Sequence, residues 1–382
     1  MILDFFPQGI ATGKAFLGRE DAVQALQNNI SNGHHTLLMA PRRWGKTSLA
    51  RNTLAGMDIL SNDVNFFLCR SALSVEKKIR HCITEALSQS GSQQQTLFDS
   101  MRRFFAQSKK TWSFGFRGVI GVEITPDNET HIAENIYTSL SLLESTMQAL
   151  NKKTVLFFDE VQEIDLLNEG REIQGAIREF AQEAKHVVFI FSGSNRRLLH
   201  HMFDHQAMPL YELCERILLK KINATTYEKY IAKASTKISG TPASEAVLKE
   251  ILTLSMRHPK RIYNLCYQIW QSQLKKVTVE SVQHAWQYLV ETRQKDIRSK
   301  LSPLNNSQLM LLTLIATDFA LPISGKEAQK ALNLSSGAIV KALQFLEDED
   351  FVTRDAISKQ YSLIDPLVKS VLCQYERYNV SL

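Results

Sequence analysis

Five short runs of apolar or β-prone residues recur along the first 220 residues, and segments with apolar positions at helical spacing separate them. The runs lie at 36–39, 64–69, 154–158, 187–191 and 217–219. Strands covered on both faces have uninterrupted apolar sequence, and their alternation with helices is typical of a parallel sheet. The pattern therefore predicts an α/β fold built on a parallel sheet.

The pattern becomes helical after residue 225. Apolar spacing predicts four helices, at 227–234, 244–256, 260–273 and 279–290. Beyond residue 301 three more helices are expected, the second opened by a capping box at Ser324, and two short strands follow at 351–354 and 359–363. Three helices and a hairpin indicate a winged helix-turn-helix.

Three domains follow from this change of pattern. Residues 1–221 are expected to form the α/β domain, 222–300 a helical lid and 301–382 the winged-helix domain. Residues 90–130 interrupt the first domain with a polar stretch, a basic helix and an aromatic-rich hairpin, and we interpret them as an insertion. A length of 382 residues suits two or three domains.

A glycine-containing loop follows the first predicted strand and leads into a helix at Lys46. In this context such a loop binds polyphosphate through backbone N–H groups and the positive end of the helix dipole. Gly45 permits close approach, Lys46 reaches the outer phosphates, and the Thr47 hydroxyl is a ligand for Mg²⁺. The residues expected to contact the nucleotide are Pro41, Arg42, Arg43, Trp44, Gly45, Lys46, Thr47 and Ser48.

One position departs from the phosphate-loop pattern G-x-x-x-x-G-K-[ST]. Ala40 occupies the place of its first glycine, which would strain a left-handed or crowded backbone but no other geometry. The alternative interpretation is a basic turn before a surface helix.

Asp159 and Glu160 directly follow the third apolar run. A strand that ends in Asp-Glu downstream of a phosphate loop is expected to supply the second half of an ATPase site. Asp159 would then hold Mg²⁺ with Thr47, and Glu160 would orient the attacking water. The alternative is that the two acids merely end a strand.

Three further candidate residues lie elsewhere in the chain. Ser194 and Asn195 follow the fourth strand and are candidates for sensing the terminal phosphate, with ordinary turn residues as the alternative. Asn195 joins Lys46 and Glu160 as a catalytic candidate. Arg261 begins the third helix of the predicted lid and is a candidate nucleotide contact, with a solvated arginine as the alternative.

Composition narrows the class of protein. With 44% hydrophobic and 22% charged residues the chain is globular, and a net charge of +6 permits an anionic partner without requiring one. Five well-separated cysteines, none in a C-x-x-C pair, argue against a disulfide framework and fit a reducing compartment. The N-terminal residues lack a signal-peptide pattern, so we expect a soluble cytoplasmic protein.

Four segments together resemble the prokaryotic, archaeal-type ATPases of the AAA+ and STAND group of P-loop NTPases. They are Gly18-Arg19-Glu20, 41–48, 156–162 and 191–194. The resemblance implies a P-loop ATPase that uses ATP and Mg²⁺. It places Arg19 near the base or ribose, Ser194 or Asn195 as first sensor and Arg261 as second. Arg216 matches an arginine finger by position alone.

The sequence leaves two possibilities for what residues 301–382 bind in such a switch, DNA or protein. The fold expected for 301–382 favours double-stranded DNA as partner, with Lys341, Arg354 and Lys359 as its basic residues. Four acids at 347–350 would repel phosphate, and the rival is a signalling or stress-response switch of the STAND type whose winged helix contacts protein. A second copy of the chain or another protein is a further possible partner. His200, His201 and His205 have partial metal-site spacing, yet Mg²⁺ with ATP is the only metal predicted.

Overall fold

The computed structural model describes residues 1–89, 112–116, 122–126, 131–272, 276–317, 322–323, 325–355 and 358–378. The chain divides into two compact units. The sheet unit contains residues 19–40 and 46–219, and the helical unit contains residues 1–18, 41–45 and 220–382. A separation of the helical unit into a lid and a winged-helix domain stays a prediction.

The sheet unit is built on a five-stranded parallel sheet whose strands lie side by side in the order 60–65, 154–159, 187–192, 36–39 and 215–218. This confirms the predicted parallel α/β architecture. The strands are β1 (Thr36–Met39), β2 (Leu60–Asn65), β5 (Thr154–Asp159), β6 (Val187–Ser192) and β7 (Glu215–Leu218), and an antiparallel hairpin joins β3 (Trp112–Phe116) to β4 (Val122–Pro126).

The apolar runs at 154–158 and 187–191 form the strands β5 and β6 in the interior of the sheet. Every residue of β5 and β6 is buried, and Phe158, Phe189 and Phe191 pack ring against ring with centroids 5.2–5.9 Å apart. The packed helices are α1 (Glu20–Asn32), α2 (Lys46–Ala55), α3 (Ala72–Gln89), α4 (Ile132–Ala149), α5 (Gly170–Glu183) and α6 (Arg196–Asp204).

The prediction of the second strand at 64–69 is wrong in its position. The strand β2 occupies Leu60–Asn65, and a turn closed by the Cys69 N–H to the Phe66 carbonyl follows it. Since β2 is an edge strand, it tolerates polar residues that the apolar-run criterion passes over. Phe67 and Leu68, which suggested a strand, are 45% and 72% exposed.

The described part of the helical unit contains a short N-terminal helix (Ile2–Phe5), a 3-10 turn (Gly13–Ala15), eight longer helices and a small hairpin. The helices are α7 (Ala224–Ser239), α8 (Glu245–Leu254), α9 (Pro259–Gln271), α10 (Val279–Leu301), α11 (Asn306–Ala316), α12 (Lys326–Leu332), α13 (Ser336–Asp348) and α14 (Pro366–Tyr378), and the hairpin joins β8 (Val352–Arg354) to β9 (Tyr361–Leu363). The predicted three helices and hairpin are therefore present. Ser324, the predicted cap of α12, lies outside the described residues, as does the basic helix of the insertion.

Residues 1–18 belong to the helical unit, although the sequence placed them in the α/β domain. Phe6 explains the difference: it is fully buried, stacks on Trp270 at 5.4 Å and meets the edges of Tyr230 and Tyr263. The Tyr230 hydroxyl also donates to the Phe5 carbonyl at 2.7 Å. Buried aromatic area of this size holds an N-terminal segment on a helical core.

Candidate functional site

The carboxyl ends of β1, β5 and β6 meet at one edge of the sheet unit. The register pairs Leu38 with Ser192 and Phe158 with Phe191, so these neighbouring strands end at the same level. Because ligands of open parallel sheets bind outside the carboxyl ends of the strands, polar side chains at this edge form the candidate site.

Asp159 lies at the centre of this edge and is buried. Thr47, at the start of α2, donates its hydroxyl to Asp159 Oδ2 at 2.8 Å, and the Ser192 hydroxyl donates to Oδ1. Asn65 Nδ2 is a longer donor at 3.5 Å. A hydroxyl and a carboxylate in contact are the oxygen ligands that Mg²⁺ prefers, so this pair fits the metal expected with ATP.

Glu160 follows with a left-handed backbone, φ 55°, which is uncommon outside glycine. Its Oε2 accepts hydrogen bonds from Ser194 Oγ and Gln162 Nε2, both at 2.7 Å, and from the Ser194 N–H at 3.2 Å. Three donors fix the orientation of the carboxylate. Gly193 makes this approach possible, because a Cβ there would collide with Gln162 Oε1.

Lys46 is buried and its Nζ donates to the Ala40 carbonyl at 2.9 Å. The positive φ angles within 40–48 belong to Arg43 (68°) and Gly45 (94°). Ala40 therefore does not need the left-handed backbone for which glycine would be required. The departure from the phosphate-loop pattern leaves the backbone unstrained at that position.

The two sensor candidates behave differently. Asn195 caps α6, since its side chain accepts from the Leu198 N–H at 3.1 Å, whereas Ser194 contacts Glu160. Sequence reasoning missed Ser192, which bonds to Asp159 from the end of β6. Its position at the last residue of a buried strand was the available signal.

Other candidates of the sheet unit lie in local ion pairs. Arg216 on β7 pairs with Asp204, and His200 bonds to the same carboxylate. His201 bonds to Asp165 at 2.9 Å. Within the described ranges no three metal-ligating side chains converge on a metal site. Arg19 is buried at the start of α1.

The remaining candidates, residues 41–45 and Arg261, belong to the helical unit. The Arg42 N–H donates to Asp350 Oδ2 at 3.3 Å, and Arg261 forms two hydrogen bonds with Asp365. Trp44 is buried and its ring contacts that of His258 edge to face, with centroids 6.4 Å apart. Burial lowers the pKa of His258 to about 4, so this imidazole is neutral at pH 7.

The sheet order, the loop between β1 and α2 and the acids after β5 define a P-loop NTPase fold. No family model and no curated protein sequence matches the chain. Solved structures do: the Walker-type ATPase PABY2304 of Pyrococcus abyssi is 16% identical with a TM-score of 0.70, and covers 98% of this chain and 100% of its own.

Two ORC proteins of Aeropyrum pernix are also similar in fold. ORC2, solved as ADPNP–ADP complexes, is 12% identical with a TM-score of 0.56, and the match covers 99% of this chain and 98% of that one. ORC1, solved in complex with DNA, is 14% identical with a TM-score of 0.51, covering 99% and 97%. At these identities the likeness establishes the fold of P-loop ATPases. Among the described helices, none has the length and apolar character to cross a membrane.

Proposed function

We propose that the protein is an Mg²⁺-dependent ATPase that acts as a molecular switch. The observation that supports this most directly is the convergence of Lys46, Thr47, Asp159, Glu160 and Ser194 at one sheet edge, with Thr47 and Asp159 in contact at 2.8 Å and Glu160 held by Ser194. These residue types, placed at the start of α2 and at the carboxyl ends of β5 and β6, are those that phosphoryl transfer to water requires.

In this mechanism the loop N–H groups and Lys46 bind and orient the β- and γ-phosphates of ATP. Thr47 and Asp159 would hold Mg²⁺, which neutralises phosphate charge as it develops. Glu160 orients the attacking water and accepts its proton, and Ser194 keeps the carboxylate aimed. Lys46, now bonded to the Ala40 carbonyl, exchanges that acceptor for a phosphate oxygen when ATP binds.

The test is phosphate release from ATP by the full chain and by Lys46→Ala and Glu160→Gln. We expect both variants to lose at least about 100-fold in kcat, since general-base and phosphate-positioning groups contribute this much. Glu160→Gln should still bind ATP, whereas Lys46→Ala should bind it weakly. Chelation of Mg²⁺ with EDTA should abolish turnover of the parent.

Glu172→Gln is the matched control, because Glu172 is an exposed glutamate in the first turn of α5 and is not one of the site residues named above. It should retain parental turnover. Turnover that survives in both Lys46→Ala and Glu160→Gln would refute the assigned site. ATP binding without release in the parent would leave a nucleotide binder and refute hydrolysis.

The proposed output is ATP-regulated binding of double-stranded DNA through residues 301–382. A similar solved structure, ORC1, contains DNA. Among those residues of 301–382 whose exposure the structure describes, the exposed cations are Lys326, Lys330, Lys341, Arg354 and Lys359. Cations that contact phosphate make binding sensitive to salt. The Arg354 guanidinium also lies over the Tyr361 ring at 5.6 Å, which fixes it on the hairpin.

A protein partner is the second candidate, because two apolar side chains on α13 are exposed. Val340 is 54% and Phe345 37% exposed, and exposed apolar side chains favour contact with a protein surface over contact with phosphate. This alternative makes the protein a signalling or stress-response switch of the STAND type.

Duplex-DNA anisotropy with Glu160→Gln in ATP, in ADP and without nucleotide, at two salt concentrations, separates the two outputs. Nucleotide-dependent binding whose salt slope falls by about 1 in Lys341→Ala or Arg354→Ala supports DNA. Lys237→Ala, an exposed lysine on α7, is the control. Absence of binding in every state refutes the DNA output and favours the protein partner.

A further inference from the structure

The second half of α2, the turn that follows it and the edge strand β2 border a cavity in the sheet unit. Its volume is about 400 Å³, and its lining includes Arg51, Leu54, Ile59, Asn62, Asp63 and Phe157. Protein pockets that bind small molecules begin at about 300 Å³, so the cavity has room for a small ligand. None of the five residues of the candidate ATPase site lines it, and the two sites are therefore separate.

A cation and an anion meet at this cavity. Arg51 Nη2 donates to Asp63 Oδ2 at 2.9 Å, and the two side chains are 45% and 42% exposed. A pair this exposed contributes little to stability, because water screens it. The Arg51 guanidinium has further N–H groups for a carboxylate, and Asp63 Oδ1 accepts no hydrogen bond from the described residues. Each side chain can therefore bind a ligand group of opposite charge.

Asn62 is a buried residue in the lining of the cavity. It is 8% exposed, and its Oδ1 has no hydrogen-bond partner within the described part of the chain. Since a buried amide oxygen without a donor is unfavourable, a ligand N–H would bind here with a gain in free energy. The last turn of α2 favours a cation at the same cavity, because it has no basic residue to offset the negative end of the helix dipole. Both features favour a positively charged group with N–H donors.

Apolar side chains supply much of the remaining lining. Leu54 and Phe157 are buried, and Ile59 is half-buried. Apolar walls beside a few polar groups are typical of small-molecule sites, in which the polar groups fix the orientation of the ligand. An aliphatic group of a ligand would leave water against these residues, which is favourable.

We propose that this cavity binds an α-amino acid whose apolar side chain is about the size of that of leucine. Arg51 binds the α-carboxylate, Asp63 and Asn62 accept hydrogen bonds from the α-ammonium group, and the apolar lining contacts the side chain. A zwitterion is attracted by both charged residues, whereas a ligand of a single charge is repelled by one of them. The proposal does not rest on the ATPase function, because no residue of the ATPase site takes part.

Isothermal titration calorimetry of the full chain with L-leucine, in the absence of nucleotide, tests the proposal. We expect saturable binding of one molecule per chain with a Kd below about 1 mM. N-acetyl-L-leucine lacks the ammonium group and L-leucinamide lacks the carboxylate. Each should bind at least about tenfold more weakly than L-leucine, because each loses hydrogen bonds to a charged residue. Glycine, which lacks the apolar side chain, should bind more weakly as well.

Variants locate the binding site. Arg51→Met and Asp63→Asn should each weaken L-leucine binding at least about tenfold, and both change exposed side chains, which the fold tolerates. Ala55→Trp keeps both charges and fills the cavity from an exposed position in its lining, so it should abolish binding. Arg70→Met is the matched control. Arg70 forms a comparable ion pair with Glu163 at 3.3 Å and does not line the cavity, so affinity should stay within about twofold of the parent.

Three results would overturn the proposal. The first is the absence of saturable L-leucine binding by the parent. The second is parental affinity in Arg51→Met, Asp63→Asn and Ala55→Trp, since the amino acid would then bind elsewhere. The third is N-acetyl-L-leucine or L-leucinamide binding as tightly as L-leucine, which would show that one of the two charged groups is not recognised. Phosphate release from ATP by the parent decides the proposed function separately, so either proposal can fail while the other stands.

Discussion

The ion pair between Arg261 and Asp365 leads to a quantitative prediction for the stability of the Asp365→Asn variant. The folded environment moves the pKa of Asp365 from 3.8 to about 2, because Arg261 outweighs the opposing effect of burial. One pKa unit corresponds to about 1.4 kcal/mol, so the ionised carboxylate contributes on the order of 2 kcal/mol to the stability of the helical unit.

The sign of the pH dependence follows from the direction of this shift. A folded pKa below the unfolded one gives stability that is present above about pH 4 and is lost as the pH falls through about 2. We expect parent and Asp365→Asn to differ by about 2 kcal/mol near pH 7. Their stabilities should converge toward pH 2, where the protonated carboxyl resembles the amide.

Urea unfolding followed by tryptophan fluorescence is a suitable assay. Three of the four tryptophans, Trp44, Trp270 and Trp286, belong to the helical unit, so the signal reports on the unit that contains the pair. Asp348→Asn controls for loss of one charge and should differ from the parent by less than about 0.5 kcal/mol. A parent–variant difference that stays constant between pH 7 and pH 3 would refute the electrostatic reasoning.

Three other predictions concern packing, the site and a thiol. Phe6→Ala should lower the free energy of unfolding by about 3–5 kcal/mol in the same assay, because it removes a fully buried ring stacked on Trp270; a loss below about 1 kcal/mol would contradict that packing. Gly193→Ala should reduce kcat several-fold at nearly parental stability, since the new methyl displaces Gln162 from Glu160, and parental kcat would show that this contact does not matter for turnover. Cys266 should resist iodoacetamide at pH 8 in the folded protein and react after denaturation, because burial raises the pKa of its thiol well above the usual value; rapid labelling of the native chain would contradict its burial.

The sequence was most informative where one local property decides the structure. β1, β5 and β6 were found because central strands need uninterrupted apolar residues, and Asp159 and Glu160 were found because they end such a strand. β2 was misplaced because an edge strand has no such requirement. The helix α14 was not predicted, although its buried residues Leu367, Val368, Val371 and Leu372 recur at helical spacing.

The contacts of the site were less accessible, because they depend on residues far apart in the chain. Arg261 and Asp365 are separated by 104 positions, and Arg42 and Asp350 by 308, so no spacing rule relates them. Asn195 matched the sensor position, and only the structure shows its side chain capping α6 while Ser194 contacts Glu160. Residue type and strand position predicted which residues are candidates for the site. Which of these side chains are hydrogen-bonded to one another became visible only in the folded structure.

The helical unit is built from three separate stretches of chain. During synthesis in the cell, its first stretch is therefore made long before the residues that it packs against. The Phe5 carbonyl accepts a hydrogen bond from the hydroxyl of Tyr230, which lies 225 positions later in the chain. The Ala15 carbonyl accepts a hydrogen bond from the hydroxyl of Tyr263, which lies 248 positions later. At 5–20 residues per second, a ribosome needs roughly 10–50 seconds to supply these partners. During that interval the aromatic pair Phe5–Phe6 lacks the side chains that bury it, so chaperones that bind exposed aromatic segments of nascent chains have a long opportunity to bind it.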